Sequence, residues 1–309
     1  MILGLDIGGT NIRAGLVDSH YELYGFEMSS STALFRPGAD SLEELTGFIR
    51  SYCNRNMDGR LPRAVSIGFP STLDKSKRRL LSTPNLPGLD NLPVADVLEE
   101  ALRIPVYINR DVNLLMLNDL HSYRIPHEGI AIGLYIGTGL GNAICINGEF
   151  PTGKNGVIGE LGHVPLIGSK RLCSCGNVGC LETMASGRYL AELQKTCFPG
   201  ESIKTLFVRH GESRELHRFV EILSIAVAIE VNILDPDNVI LGGGVLQMEG
   251  FPMDELRRLI IHHTRKPYPS EGLTLLVSQQ KQESGIVGAG IYAYESIAKG
   301  GILHDRACV

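Results

Sequence analysis

The sequence predicts an α/β protein built as two domains. Strand-like apolar runs alternate with amphipathic helical runs along most of the chain. A strand–glycine turn–strand segment near the N-terminus has a short echo near the middle, as a duplicated architecture would leave. At 309 residues the chain is also long enough to bury two hydrophobic cores.

The first segment is GLDIGGTNIRAGLV, residues 4–17. Ile2–Ile7 reads as a strand, Gly8–Thr10 as a tight turn and Ile12–Val17 as the returning strand. A plain β-hairpin accounts for it. So does a phosphate cradle, in which turn amides and the Thr10 hydroxyl donate to phosphate oxygens and Asp6 holds Mg²⁺ through water. The echo, GLYIGTGLG at residues 133–141, repeats the register of residues 4–10 and places Tyr135 where Asp6 stands. Two such turns would hold one polyphosphate from both sides. GTGLG lacks the GxGxxG dinucleotide spacing. Residues 148–155, GEFPTGKN, miss a P-loop because Asn155 replaces the magnesium-binding hydroxyl and Pro151 interrupts the loop.

Between the turns, residues 39–56 form a helix with an apolar stripe at Leu42, Leu45, Phe48 and Ile49. Ala64–Phe69 is a buried strand, and residues 82–87 form an extended loop whose prolines oppose both helix and central strand. Pro105–Asn109 is a strand, and Arg110-Asp111-Val112-Asn113 opens a helix to about Ser122. Asp111 stands where an N-cap belongs, and equally where a general base for a hydroxyl would sit. Later come a long, half-apolar helix at 214–234, a strand at 239–241 running into Gly242-Gly243-Gly244, a helix at 253–263, a strand at 273–277 and a closing helix from about Gly285 to Ala298. The triple glycine reads either as a strand-to-helix turn or as a close approach to a nucleoside.

The densest chemistry lies in residues 159–182, GELGHVPLIGSKRLCSCGNVGCLE. Cys173, Cys175 and Cys180 with His163 make a three-thiolate, one-imidazole set that fills a zinc tetrahedron and leaves no open position, hence structural rather than catalytic zinc. Three reduced surface cysteines beside an unrelated histidine are the plain alternative. Glu160 and Glu182 flank the ligands.

The net charge of −5 gives no electrostatic reason to expect nucleic acid or an acidic membrane as partner. The uncharged run 129–148 is broken by six glycines, against a membrane span. Seven cysteines, four of them scattered, suggest no disulfide framework, and the start lacks a signal-peptide pattern. A cytoplasmic protein is the expectation.

With DIGGT at the start, GTGLG in the middle and ELGH…CSCGNVGCLE in that order, the chain resembles the ROK family of sugar kinases nearly end to end. The resemblance implies an actin-like, hexokinase-like (ribonuclease H-like) duplicated two-domain fold with a central cleft. One domain would hold residues 1–115 plus 285–309, the other 116–284. ATP, with Mg²⁺, would lie on Asp6, Gly8, Gly9, Thr10, Asn11, Gly137, Thr138, Gly139 and Gly141, with Gly242, Gly243 and Gly244 near its adenosine. A hexose would meet Gly68, Asn85, Arg110, Asp111, Glu160, His163 and Glu182, with Asp111 as base. Arg110 departs from the family's asparagine and Ser71 from its glycine, and GFP, STPNLP and RDVNL are most similar to the allose-phosphorylating members. Phosphorylation at the 6-hydroxyl and a homodimer or dimer of dimers are implied; glucose, fructose and mannose are the alternative substrates. A sugar-sensing regulator without its DNA-binding domain is the second class, set against the retained Asp6 and Asp111.

Overall fold

The computed structural model describes residues 1–84 and 86–306. In chain order the elements are β1 (Ile2–Ile7), β2 (Asn11–Val17), β3 (Leu23–Ser30), α1 (Ser31–Leu34), α2 (Ser41–Asn56), β4 (Ala64–Phe69), β5 (Thr72–Leu73), β6 (Leu80–Ser82), α3 (Val94–Leu102), β7 (Val106–Arg110) and α4 (Asp111–Ser122). There follow β8 (Ile130–Ile136), β9 (Leu140–Ile146), α5 (Gly187–Cys197), α6 (Leu206–His210), α7 (Arg214–Leu234), β10 (Asn238–Gly242), α8 (Met253–His263), β11 (Leu275–Val277) and α9 (Ser284–Arg306). Short 3₁₀ turns occupy Leu161–His163, Leu181–Thr183 and Ile203–Thr205.

The chain divides into two compact units. The first comprises Met1–Ile125, Thr152–Ile158 and the segment that begins at Gln280; the second comprises Pro126–Pro151 and Gly159–Gln279. α4 packs on α9, and the first unit continues past residue 115 through that helix to Ile125.

In the first unit the sheet order is β3-β2-β1-β4-β7. β1–β2 and β2–β3 pair antiparallel, whereas β4 joins β1 and β7 joins β4 in parallel. Continuous apolar runs suit strands covered on both faces, and every residue of Ala64–Phe69 is buried. Asp40 caps α2 by accepting from the Leu42 and Glu43 amides, and the expected stripe of Leu42, Leu45 and Ile49 enters the core with Leu3, Leu5, Ile67 and Ile108. α9 packs on β1, β4 and α4. It comes so close that a Cβ at Gly288 would stand 1.9 Å from the Leu114 carbonyl oxygen, a position only glycine fills.

In the second unit the order is β11-β10-β8-β9, with β8–β9 antiparallel and the other pairs parallel. The 21-residue α7 buries Phe219, Val220, Leu223, Val227 and Val231 among Ile132, Leu134 and Leu241. Each such side chain contributes about 1.5–3 kcal/mol of transfer free energy. Residues 148–158 contain no helix, in keeping with a loop rather than a P-loop.

Candidate active site

In the first unit, the ends of β1 and β7 carry two carboxylates. The hairpin register sets Asp6 opposite Arg13, whose Nη1 donates to Asp6 Oδ2 at 3.0 Å. The start of α9 closes on the same carboxyl, since a Cβ at Gly285 would lie 2.7 Å from Asp6 Cγ. Burial raises the Asp6 pKa and the Arg13 guanidinium opposes the rise. The turn beyond Asp6 is tied by Gly8 N–H to the Asn11 carbonyl at 2.8 Å and by Ser31 N–H to the Thr10 carbonyl at 2.9 Å, leaving Gly9 and Thr10 exposed.

Asp111 is the first residue of α4, and the N-cap is Arg110, whose side chain makes no capping bond. The N-cap reading of Asp111 is therefore off by one residue, although its Oδ1 still accepts from the Val112 amide at 2.8 Å. Burial, then the Asp6 charge, pushes the Asp111 carboxyl up to about 7 against that amide and Arg110. Arg110 Nη1 donates to the Ile158 carbonyl at 2.7 Å. Gly68 pairs with Asn109 across the sheet, and a Cβ there would meet Leu114 Cδ1 at 2.9 Å and Asp111 Cα at 3.4 Å. Asn85 lies outside the described residues.

In the second unit, Gly137 and Thr138 form an exposed turn between β8 and β9. The Gly187 and Arg188 amides hold the carbonyls of Gly137 and Thr138 at 2.8 and 3.0 Å, and the space where a Gly137 Cβ would stand is open. Gly141 stands at the start of β9, opposite Tyr135. The Tyr135 ring fills the place of Asp6 in the echo, lying against Gly133 and Gly242. Gly243 follows at φ +98°, where a Cβ would collide with the Ile136 backbone at 2.4 Å, while Gly244 faces open space.

The Cys–His cluster assembles as the spacing implied. The ligand atoms of His163, Cys173, Cys175 and Cys180 all lie within 4.8 Å of one another. Cys173 Sγ is 3.6 Å from His163 Nδ1, and the sulfurs of Cys175 and Cys180 are 3.7 Å apart. Zinc–ligand bonds of about 2.0–2.3 Å imply tetrahedral edges of roughly 3.4–3.8 Å, so the donor set fits zinc. The knuckle is built by Cys173 N–H on Asn177, Gly179 N–H on Arg171 and positive φ at Gly176 and Gly179. Burial, then its cysteine neighbours, pushes the Cys180 thiol up to about 12, whereas the Asn177 amide lowers Cys175. Ligation reverses the first effect, because the metal binds the thiolate. With Nδ1 turned to sulfur, His163 Nε2 lies 3.5 Å from Glu160 Oε2. Cys173 Sγ donates to Glu182 Oε1 at 3.3 Å, and the other oxygen of Glu182 would lie 3.0 Å from a Cβ at Gly139. Glu182 thus touches both the Cys–His cluster and the glycine turn.

Sequence reasoning missed four polar side chains. Arg13 was recoverable by counting back across the DIGGT turn, since Ile7 opposes Ile12 and Asp6 therefore opposes Arg13. Buried Asn109 and Asn113, bonded at 3.0 Å, gave no signal. Nor did Glu230 of α7, which accepts from Asn142 at 2.8 Å and is pushed up to about 8 by burial.

The ROK family model matches residues 2–296, and the chain belongs to the ROK family. It is 27% identical over 298 residues to an N-acetylmannosamine kinase of Salmonella typhi, covering 94% of this chain and 97% of the relative. The crystal structure of a ROK hexokinase from Thermus thermophilus superposes with a TM-score of 0.78 at 27% identity, covering 96% of this chain and 99% of the other. A Streptomyces griseus ROK glucokinase, solved with glucose and AMPPNP, gives 0.75 at 24% identity over 93% and 97% and attests the fold. The fold is the actin-like, hexokinase-like two-domain fold of these enzymes. Among the described residues, no helix is long and apolar enough to cross a membrane.

Proposed function

We propose that the chain transfers the γ-phosphoryl group of ATP to the 6-hydroxyl of a hexose, with D-allose as its preferred substrate. The chain is an ATP-dependent sugar kinase of the hexokinase type; the sugar, the position phosphorylated and the residue roles are the proposal. The observation that carries the roles is the half-buried Asp111 carboxyl at a strand-to-helix junction, its pKa pushed up to about 7. A base serves best when its pKa lies near the working pH. The Val112 amide on Oδ1 fixes the carboxylate, which takes the proton of the attacking hydroxyl.

Gly8, Gly9, Thr10 and Asn11, with Gly137, Thr138, Gly139 and Gly141, would offer turn donors to the phosphates, and Gly242–Gly244 would lie by the adenosine. Mg²⁺, when bound, neutralises charge on the transferring phosphoryl group. Asp6 fits an outer-sphere role, because one of its oxygens already holds Arg13 and magnesium keeps much of its water. Gly68, Asn85, Arg110, Glu160, His163 and Glu182 would meet the sugar. Zinc would hold His163 and steady Glu182.

Allose is read from the GFP, STPNLP and RDVNL segments and from Arg110. That guanidinium offers only donors, and one of them holds the Ile158 carbonyl. Allose differs from glucose only in its axial 3-hydroxyl, and a site that bonds one epimer leaves groups unpaired with the other. N-acetylmannosamine is the second reading, favoured by the 27% identity to a kinase of that sugar. A coupled ADP-release assay across allose, glucose, mannose, fructose and N-acetylmannosamine decides. A specificity constant for allose about ten- to a hundred-fold above the others is expected. A better rate with N-acetylmannosamine establishes the second reading, and no ADP with any of the five sugars overturns both. A homodimer or dimer of dimers belongs to the same proposal, and light scattering checks it.

A further inference from the structure

We propose that the buried amide pair Asn109–Asn113 positions Asp111 for proton transfer. Asn109 is the fourth residue of β7 and is 1% exposed; Asn113 lies in the first turn of α4 and is 8% exposed. The Arg110 amide donates to Asn109 Oδ1 at 2.9 Å, and Asn113 Nδ2 donates to the same oxygen at 3.0 Å. Because a backbone N–H can only donate, the first bond fixes which end of the Asn109 amide is oxygen, and the second then fixes the Asn113 amide. The single oxygen thus ties the strand end to the first turn of the helix, across the two residues that include Asp111.

A helix start ordinarily takes its first side-chain acceptor from the N-cap residue. Arg110 has no acceptor to offer, and α4 has no side-chain capping bond from it. Asn109 Oδ1 instead accepts the Arg110 amide, the bond that the fourth residue of a capping box would otherwise take, and Asn113, which stands at that fourth position, donates to the same oxygen. The arrangement leaves Asn109 Nδ2 buried without a partner, an arrangement a pure packing role would not favour at this place. Asn109 lies on the face of β7 opposite Val106 and Ile108, yet it is as buried as they are. The amides set the step at which the Asp111 carboxylate leaves the sheet.

The inference rests on the reading of Asp111 as the base, and the test separates the two. Turnover, KM for sugar and ATP, and melting are measured for Asn109→Ala, Asn113→Ala and Asn109→Asp, each in wild-type and Asp111→Asn backgrounds. A misplacement of the base should lower kcat about ten- to a hundred-fold with KM within about two-fold. In the Asp111→Asn background the same substitutions should cost less than about three-fold, since a residue acting through Asp111 has nothing left to position. Asn109→Asp keeps the accepting oxygen and should retain most of the turnover on the alkaline side of the pH profile. Equal losses in both backgrounds, or KM effects without kcat effects, overturn the positioning role. Should Asn109→Ala fail to fold, Asn113→Ala in the two backgrounds carries the same comparison. Full turnover by Asp111→Asn alone would instead remove the base reading, and the inference with it.

Discussion

Asp111→Asn should gain stability and lose activity together, and the two effects should separate along the pH axis. The substitution keeps the shape and the acceptor for the Val112 amide while removing the titrating carboxyl. The folded pKa, about 7, lies above the ordinary value of 3.8. The carboxyl therefore contributes most to stability below the unfolded value, and that contribution is lost as pH rises through the folded value. A difference of about three units corresponds to an upper bound of about 4 kcal/mol. Solvent reaches this half-buried side chain, which reduces the expected gain to about 1–2 kcal/mol at pH 8. Near pH 4 the variant and wild type should unfold alike. Urea melts at pH 4.5, 6 and 8, beside initial rates of ADP release, test the pair of effects. Turnover should fall by about two to four orders of magnitude. A variant that melts earlier at every pH and turns over nearly normally would refute the reasoning and make Asp111 a helix-start residue only.

Zinc analysis of the purified protein should find about one ion per chain, and Cys175→Ser should lose the ion and melt earlier; a metal-free protein with normal melting would remove the zinc assignment. Glu230→Gln should stabilise the protein above pH 8 by on the order of 1–3 kcal/mol and have no effect near pH 4, because burial holds the native acid protonated up to about 8 and stability falls as pH rises toward that value. Thermal melts at the two pH values check it, and an equal shift at both would show lost packing instead.

Much of the frame was legible because it depends on local pattern. The β1–β2 and β8–β9 hairpins, the stripe of α2 and the bounds of α7 and α8 follow from apolar runs and glycine turns. β3 was missed because its apolar Tyr24, Phe26 and Met28 face solvent, so alternation does not mark a buried face. α3 was missed because it starts directly behind Pro93 with no capping side chain. The Cys–His cluster was legible because its four residues crowd into one stretch. The partners of Asp6 and Asp111 were less so. Asn113 reaches Asn109 only after a strand has ended beside Phe69 and a helix has begun, and which end of the Asn109 amide it meets is set by a backbone amide. Residue type and spacing do not carry such three-dimensional bookkeeping.

The first unit is written in the chain as a parenthesis, opened at residue 1 and closed only from residue 280. β1 lies against α9: Ile2 shares a small buried cluster with Ala293, and a Cβ at Gly4 would meet the Ile286 carbonyl oxygen at 2.6 Å. A ribosome adding about 5–20 residues per second needs on the order of ten to forty seconds between finishing β4 and starting α9. For that interval the part of the first sheet that α9 covers lacks that cover, with only α4 of its own unit made to pack beside it, and the whole second unit is synthesised before α9 arrives. Vectorial synthesis therefore makes the N-terminal sheet the last part to complete its core, and the nascent chain carries its earliest strands as its longest-exposed apolar surface.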